Sequence, residues 1–405
     1  MTTIAFFHQN DVFSRQGGIE RYVATLLDCA QGRAAFAGPP LARPCVRHFA
    51  VKDEGLDGAP QWLRFVAGLF AQRHAIRAFL LENDAGVLEF SRPEYLLAGW
   101  LFPGAKVVTI HGTGPDKSQR LHHLTHHLCC LLLLPLLAHR VQIVGRDSSG
   151  LPWLAQKLLG SRIVHIDAWH DDRFRPTPLP PVAYETPLRV FYAGRVAAQK
   201  DPALLFEIIR QATTIYPKKF EFRYFGSDYE EFVKAGVGDL VMNGGFLDAG
   251  ALARAIGACH VGVLCSAYGE GSPFIVVETL ACGRPFVLPP LQTLVEAYDG
   301  APGGHFVTRR EAGAYVEALM DMRAKMLAGH IQPSAIASGV SDRAESRAAP
   351  RLLAELASLA EKRGRTEAQS SSASTHSRRL RGEGWGEGTP GAGRDLDAAE
   401  SDGRC

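Results

Sequence analysis

The sequence predicts an α/β protein: two doubly wound domains facing one another across a cleft, followed by a disordered tail. Three observations predict it. Short apolar runs alternate with helix-period segments from residue 3 to about 290, the pattern of parallel sheets with crossover helices. Five prolines fall within Pro176–Pro187, where the alternation stops before restarting; such a stretch forbids continuous helix and favours a stiff, extended linker. From Gly364 the chain is rich in Gly, Ser and charge with almost no apolar periodicity, a composition that cannot build a core.

In the first half the expected strands are Ile4–Phe7, Val46–Ala50, Gly86–Phe90, Lys106–Ile110, Val141–Val144 and Arg162–Ile166. Gly18–Cys29 reads as a helix, with Ile19, Val23, Leu26 and Leu27 on one face. Trp62–Leu81 reads as a second helix. After the linker, Leu188–Tyr192 and Phe220–Phe225 are strands, Pro202–Ala212 is a helix capped by Asp201, and Asp248 caps Ala249–Ala258. His260–Cys265 and Pro285–Leu288 are strands. Arg309–Ala328 and Ala348–Lys362 are helical. The expected domains are therefore 1–176, linker 177–187, 188–330, a helical segment 331–363 and the tail 364–405.

With 405 residues, 46% of them hydrophobic, the chain can bury two cores. A formal net charge of +2 gives no electrostatic case for nucleic acid. The longest apolar run, Leu128–Ala138, is interrupted by Pro135 and is too short to span a bilayer. It reads as a buried helix of the first domain. Peripheral membrane contact through this run, with Lys117 and Arg120 before it, is the alternative. The start MTTIAFFHQND lacks a charged n-region and a long apolar h-region. The eight cysteines show no zinc spacing. A reduced, cytoplasmic chain is the expectation.

The most informative stretch is Glu270–Gly283, EGSPFIVVETLACG. Ser272 is a suitable N-cap, Pro273 suits the first helical position, and Gly283 suits the stop. Glu278 then lies on an apolar helix beside Phe274, Ile275, Ala281 and Cys282, where an ionised carboxylate is costly unless something binds it. The helix start offers backbone N–H groups and a positive dipole end to an anion. Two carboxylates beside a phosphate-type helix start suit a nucleotide carrying a sugar.

Other candidates follow strands. Gly194, Arg195 and Lys200 form a strand–helix loop whose two cations can hold a diphosphate; a solvated loop is the plain alternative. Gly17 and Gly18 open a helix, with Glu20 in its first turn. His111 ends a strand before Gly112-Thr113-Gly114, where it can be a base, a hydroxyl partner or a structural side chain. His122, His123, His126 and His127 recur at i,i+4 with no carboxylate in frame, and read as the polar face of a helix near the surface. Asp395-Leu396-Asp397 resembles an Asp-x-Asp metal motif but has no strand before it.

Together these residues resemble the retaining GT-B glycosyltransferases of family 4, the "glycosyltransferase group 1" type. The resemblance runs from about Gly17 to Phe306. It rests on the E-x7-E pair Glu270 and Glu278, the Gly194/Arg195/Lys200 loop, Gly17-Gly18 with Glu20, the strand-end His111, and the turns at Gly226 and Gly245-Phe246-Leu247. It implies two Rossmann-like domains and transfer of a sugar from a nucleotide-diphosphate sugar (UDP or GDP) to a saccharide or lipid-linked acceptor. The transfer would retain configuration and require no metal or other cofactor.

The resemblance also implies roles. Arg195 and Lys200 would hold the diphosphate, and amides near Ser272, Pro273 and Phe274 its oxygens. Glu278 would take the ribose, Glu270 the sugar. Gly17, Gly18 and His111 would complete the cleft. The departures are Asp167-Ala168-Trp169-His170 at the linker entry, Cys265-Ser266 before the motif, and Thr279-Leu280 after Glu278. An epimerase or phosphorylase-like enzyme, and a catalytically silent binding protein, are the competing readings.

Overall fold

The computed structural model describes residues 2–14, 17–30, 32–43, 47–53, 55–112 and 120–382. Val46, Thr113, Gly114, Lys117 and Asp395–Asp397 lie outside these residues. Chain contacts define two compact units, Met1–Ala360 and Glu361–Cys405.

The first unit holds two parallel sheets. One runs β3-β2-β1-β4-β5-β6-β7, built from β1 (Thr3–Phe7), β2 (Ala34–Gly38), β3 (Arg47–Ala50), β4 (Ala85–Phe90), β5 (Ala105–His111), β6 (Arg140–Val144) and β7 (Ile163–Ile166). The other runs β10-β9-β8-β11-β12-β13, from β8 (Leu188–Ala193), β9 (Phe220–Phe225), β10 (Val241–Asn243), β11 (Val261–Val263), β12 (Phe286–Leu288) and β13 (Gly304–Phe306). Strand order reverses between β1 and β4 in one sheet and between β8 and β11 in the other. Doubly wound sheets bind ligands at that point, beyond the carboxyl ends of the strands.

Most expected elements are present. The helix Gly18–Cys29 has the expected bounds, and Asp201 and Asp248 accept hydrogen bonds from Leu204 N and Ala251 N as N-caps. Three strands escaped the reading. Ala34–Gly38 is alanine-rich and fully buried, so it lacks alternation; β10 and β13 are only three residues long. The single helix expected over Trp62–Leu81 is two, Gln61–Ala71 and Arg73–Glu82. The break falls at Gln72, whose backbone (φ −99°, ψ 15°) leaves the helical region and whose side-chain amide pairs with the backbone N–H and C=O of Lys52.

Residues 175–187 contain no helix or strand. The buried Arg284 guanidinium ties this stretch to the second sheet, donating to Thr177 O, Pro178 O, Gly257 O and Cys259 O at 2.7–2.9 Å. The chain then returns: Ala349, Leu352, Leu353 and Leu356 of the helix Glu345–Gly382 pack with Ile4, Phe6 and Val87 of the first sheet. Of the stretch from Gly364 expected to be disordered, residues 364–382 continue that helix and residues 383–405 lie outside the described residues.

Candidate active site

A cavity of about 880 Å³ opens between the carboxyl ends of the two sheets. From the first side it is lined by Gly18 and His111, among others. From the second come Gly194, Arg195, Lys200 and Phe246, with Glu270, Ser272, Pro273, Phe274 and Glu278. Of the expected site residues, only Gly17 and Gly245 do not line it. A Cβ on Gly17 would lie 2.3 Å from a Glu20 carboxyl oxygen, and Gly245, with φ +67°, precedes the half-exposed Phe246 that lines the cavity.

The two sides touch at the cavity wall. Gly145 (φ +88°) and Gly271 meet backbone to backbone; a Cβ on Gly145 would sit 2.1 Å from Gly271 C. Glycine is required there by both conformation and space.

The helix expected after Ser272 runs from Phe274 to Ala281 with Pro273 as its N-cap. Ser272 is therefore not the cap. Its hydroxyl accepts from the Ala168 N–H at 3.0 Å, fastening the loop to the segment entering the linker. Gly283, at φ +72°, ends the helix as expected.

Glu270 and Glu278 are both buried, at 4% and 2% exposure. Glu270 pairs with Lys200, and Ser266 Oγ donates to the same carboxyl oxygen at 2.6 Å. Asp201, next to Lys200 in the chain, takes the left-handed conformation, caps the next helix and pairs with Arg310. Glu278 pairs instead with Arg21, which reaches across from the helix Gly18–Cys29 and lies 4.9 Å over the Phe274 ring. Burial pushes the Glu278 carboxyl above its ordinary range, against the pull of Arg21. Sequence reasoning missed Arg21. Its signal was weak: one arginine beside Glu20, with its partner 257 residues away.

His111 faces the cavity with Nε2 unpartnered, and its ring meets Tyr22 edge-on at 5.0 Å. Burial, helped by His8, lowers it to about 3, so the ring is neutral at physiological pH. Glu20 is buried at the start of its helix among polar partners. Burial raises its carboxyl, but hydrogen bonds from His8, its own N–H and Asn10 bring it down to about 2.

The histidine-rich helix is not simply a polar surface face. His122 and His126 point inward, not to a surface face, and share a carboxylate that the local frame lacks: Glu94 Oε1, at 3.1 and 3.0 Å. Among the described residues no group of three or more His, Cys, Asp or Glu side chains could hold a metal ion.

Residues 187–324 match the family model for glycosyl transferases group 1. This group 1 segment contains every candidate from the second sheet: Gly194, Arg195, Lys200, Gly245, Phe246, Glu270, Ser272, Pro273, Phe274 and Glu278. Gly17, Gly18 and His111 lie outside it. No curated protein matches the chain. Solved structures do. Sucrose-phosphate synthase from Thermosynechococcus elongatus is 17% identical with a TM-score of 0.61, covering 92% of this chain and 100% of its own. Anabaena HepE in complex with UDP and glucose is 14% identical with a TM-score of 0.65, over 88% and 100%. A glycosyltransferase from Rickettsia africae is 14% identical with a TM-score of 0.63, over 88% and 97%. The fold is GT-B, and with the group 1 segment it supports a glycosyltransferase.

Proposed function

We propose that the protein is a retaining glycosyltransferase of family 4 that moves a hexosyl group from a nucleotide-diphosphate sugar to a saccharide or lipid-linked acceptor. The observation that carries this is the cavity itself, which gathers two buried carboxylates, a helix start and two cations at the carboxyl ends of the second sheet's strands. Arg195 and Lys200 take the charge of the departing diphosphate, the stabilisation that commonly matters most in such transfers. Amides at the start of Phe274–Ala281 receive phosphate oxygens. Glu278 accepts from the ribose hydroxyls, and Glu270 stands beside the sugar, steadying positive character at its anomeric carbon. The neutral His111 offers a hydrogen bond from the opposite wall.

The HepE structure with UDP and glucose favours a uridine-linked donor. With arginine and lysine at the diphosphate, the reaction draws on no metal. The setting we infer is the cytoplasm, in surface polysaccharide or glycolipid assembly.

The test is a thermal-shift screen against UDP-, GDP-, ADP- and TDP-sugars, followed by product analysis with acceptors. Stabilisation by one nucleotide family and an acceptor product of retained configuration are expected. A product formed without acceptor would instead make it an epimerase, and binding without turnover a silent binding protein.

A further inference from the structure

The segment from Arg120 to Leu137 is built differently from a buried helix. It runs as Arg120–Leu128, a wider π-helical stretch Cys129–Leu133, and Leu134–Leu137. Its inner side is buried through His126, Cys129, Cys130 and Leu134. Its outer side is a stripe of exposed leucines: Leu121, Leu124, Leu128, Leu132 and Leu136, from 47% to 78% exposed. They recur every three or four residues, which keeps them on one face.

The helix Trp153–Leu159 packs beside this segment and adds to the same kind of surface. Trp153 is 72% exposed, and Leu154 and Leu158 are exposed too. Scattered exposed leucines need no explanation, but a contiguous apolar ridge marks an interaction surface.

The charge around the ridge selects the occupant. Residues 120–162 contain five Lys or Arg and one Asp or Glu. Arg140 and Arg146 are neutralised by Glu355 and Asp167. Arg120 and Lys157 are exposed, each next to a ridge leucine. Arg162 donates to Pro135 O and Ala138 O, both at 2.9 Å, at the end of the leucine segment, which keeps its charge there. Among the described residues none of these three cations is in an ion pair. A second copy docking symmetrically would bring like cations together. An anionic lipid surface complements both the leucines and their rim, and a tryptophan suits the headgroup level. Among the described residues no helix is long and apolar enough to cross a membrane.

We propose that this leucine–tryptophan ridge docks the protein on an anionic membrane, lying in the interface without spanning it. Flotation of the full chain with vesicles tests it, read without donor or acceptor and so independently of the transferase reading. Phosphatidylglycerol-containing vesicles should carry the protein up at low salt, and pure phosphatidylcholine vesicles should carry far less. The double variant Leu132→Glu/Leu136→Glu should lose at least about tenfold of the bound fraction, with an unchanged melting temperature because both side chains are exposed. Trp153→Ser should weaken binding in the same direction, and serves if the double variant does not fold. The proposal is overturned if the wild type floats with neither vesicle, if the variants float as well as it does, or if light scattering shows a dimer that the double variant dissolves.

Discussion

Glu270 and Glu278 belong to one motif and are equally hidden, yet they are held by different parts of the molecule. Glu270 takes both of its partners, Lys200 and Ser266, from the second sheet's own loops. Glu278 takes Arg21 from the other side of the cleft. One carboxylate is therefore held from within its own side of the cleft, while the other is neutralised from across it. A buried carboxylate without its cation is strongly disfavoured. The pair Arg21–Glu278 thus spans the cleft, and the Lys200–Glu270 pair does not.

Breaking the comparison at its strongest point, Glu270→Ala should lower kcat by about a thousandfold, because it removes the group proposed to stand beside the sugar and strands Lys200. Steady-state turnover measures it, and circular dichroism should show the fold intact. Arg195→Ala and Lys200→Ala should each cost about a hundredfold or more in kcat. Chelation by EDTA should leave wild-type turnover unchanged; a metal-restored loss would show that the two cations do not suffice.

Glu278→Ala should act mainly on KM for the donor. A charged hydrogen bond contributes roughly 1.5–3 kcal/mol, so a loss of about ten- to a hundredfold is expected. Arg21→Ala should have a smaller effect, about three- to tenfold in donor KM, since it removes the cross-cleft partner and not the ligand contact. The comparison sharpens in a double-mutant cycle on donor affinity. Arg21→Ala and Glu278→Gln should be strongly non-additive, whereas Arg21→Ala and Ser266→Ala should add. Additivity in the first cycle would leave the cross-cleft pair without a part in donor binding.

The smallest effect on activity comes from a carboxylate outside the cavity. Glu89 is fully buried on β4 with neither oxygen hydrogen-bonded, and burial pushes it up to about 8, against a lowering pull from nearby Thr109. Its folded-state value lies above its unfolded one, so the folded state is favoured while the group is protonated. That stability is present below the ordinary carboxylate range and is lost as pH rises toward about 8. The melting temperature should fall over this window, and Glu89→Gln should flatten the fall without changing turnover.

Much of this site was legible in the chain. Asp201 and Asp248 announced their helices because capping is a contact of three residues. The Glu270–Gly283 stretch announced a carboxylate on an apolar helix because period and polarity conflict there. The misses share a cause. Ser272 looked like a cap, but the loop's real fastening is to Ala168, more than a hundred residues away. The histidines looked superficial because Glu94 comes from another element. The leucine run looked buried because periodicity shows that a helix has two faces, not whether both are covered.

What the sequence by itself determined is local: the alternation of strands and helices, the caps and stops, and the spacing of charges around one helix start. Those follow from backbone geometry and side-chain period, which neighbouring residues set. Only the tertiary structure decided which face of the Arg120–Leu137 segment meets solvent, that Gly145 and Gly271 touch, and that Arg21 closes on Glu278. Contacts between residues hundreds of positions apart leave no period in the chain, and exist only once two sheets have brought their carboxyl ends together.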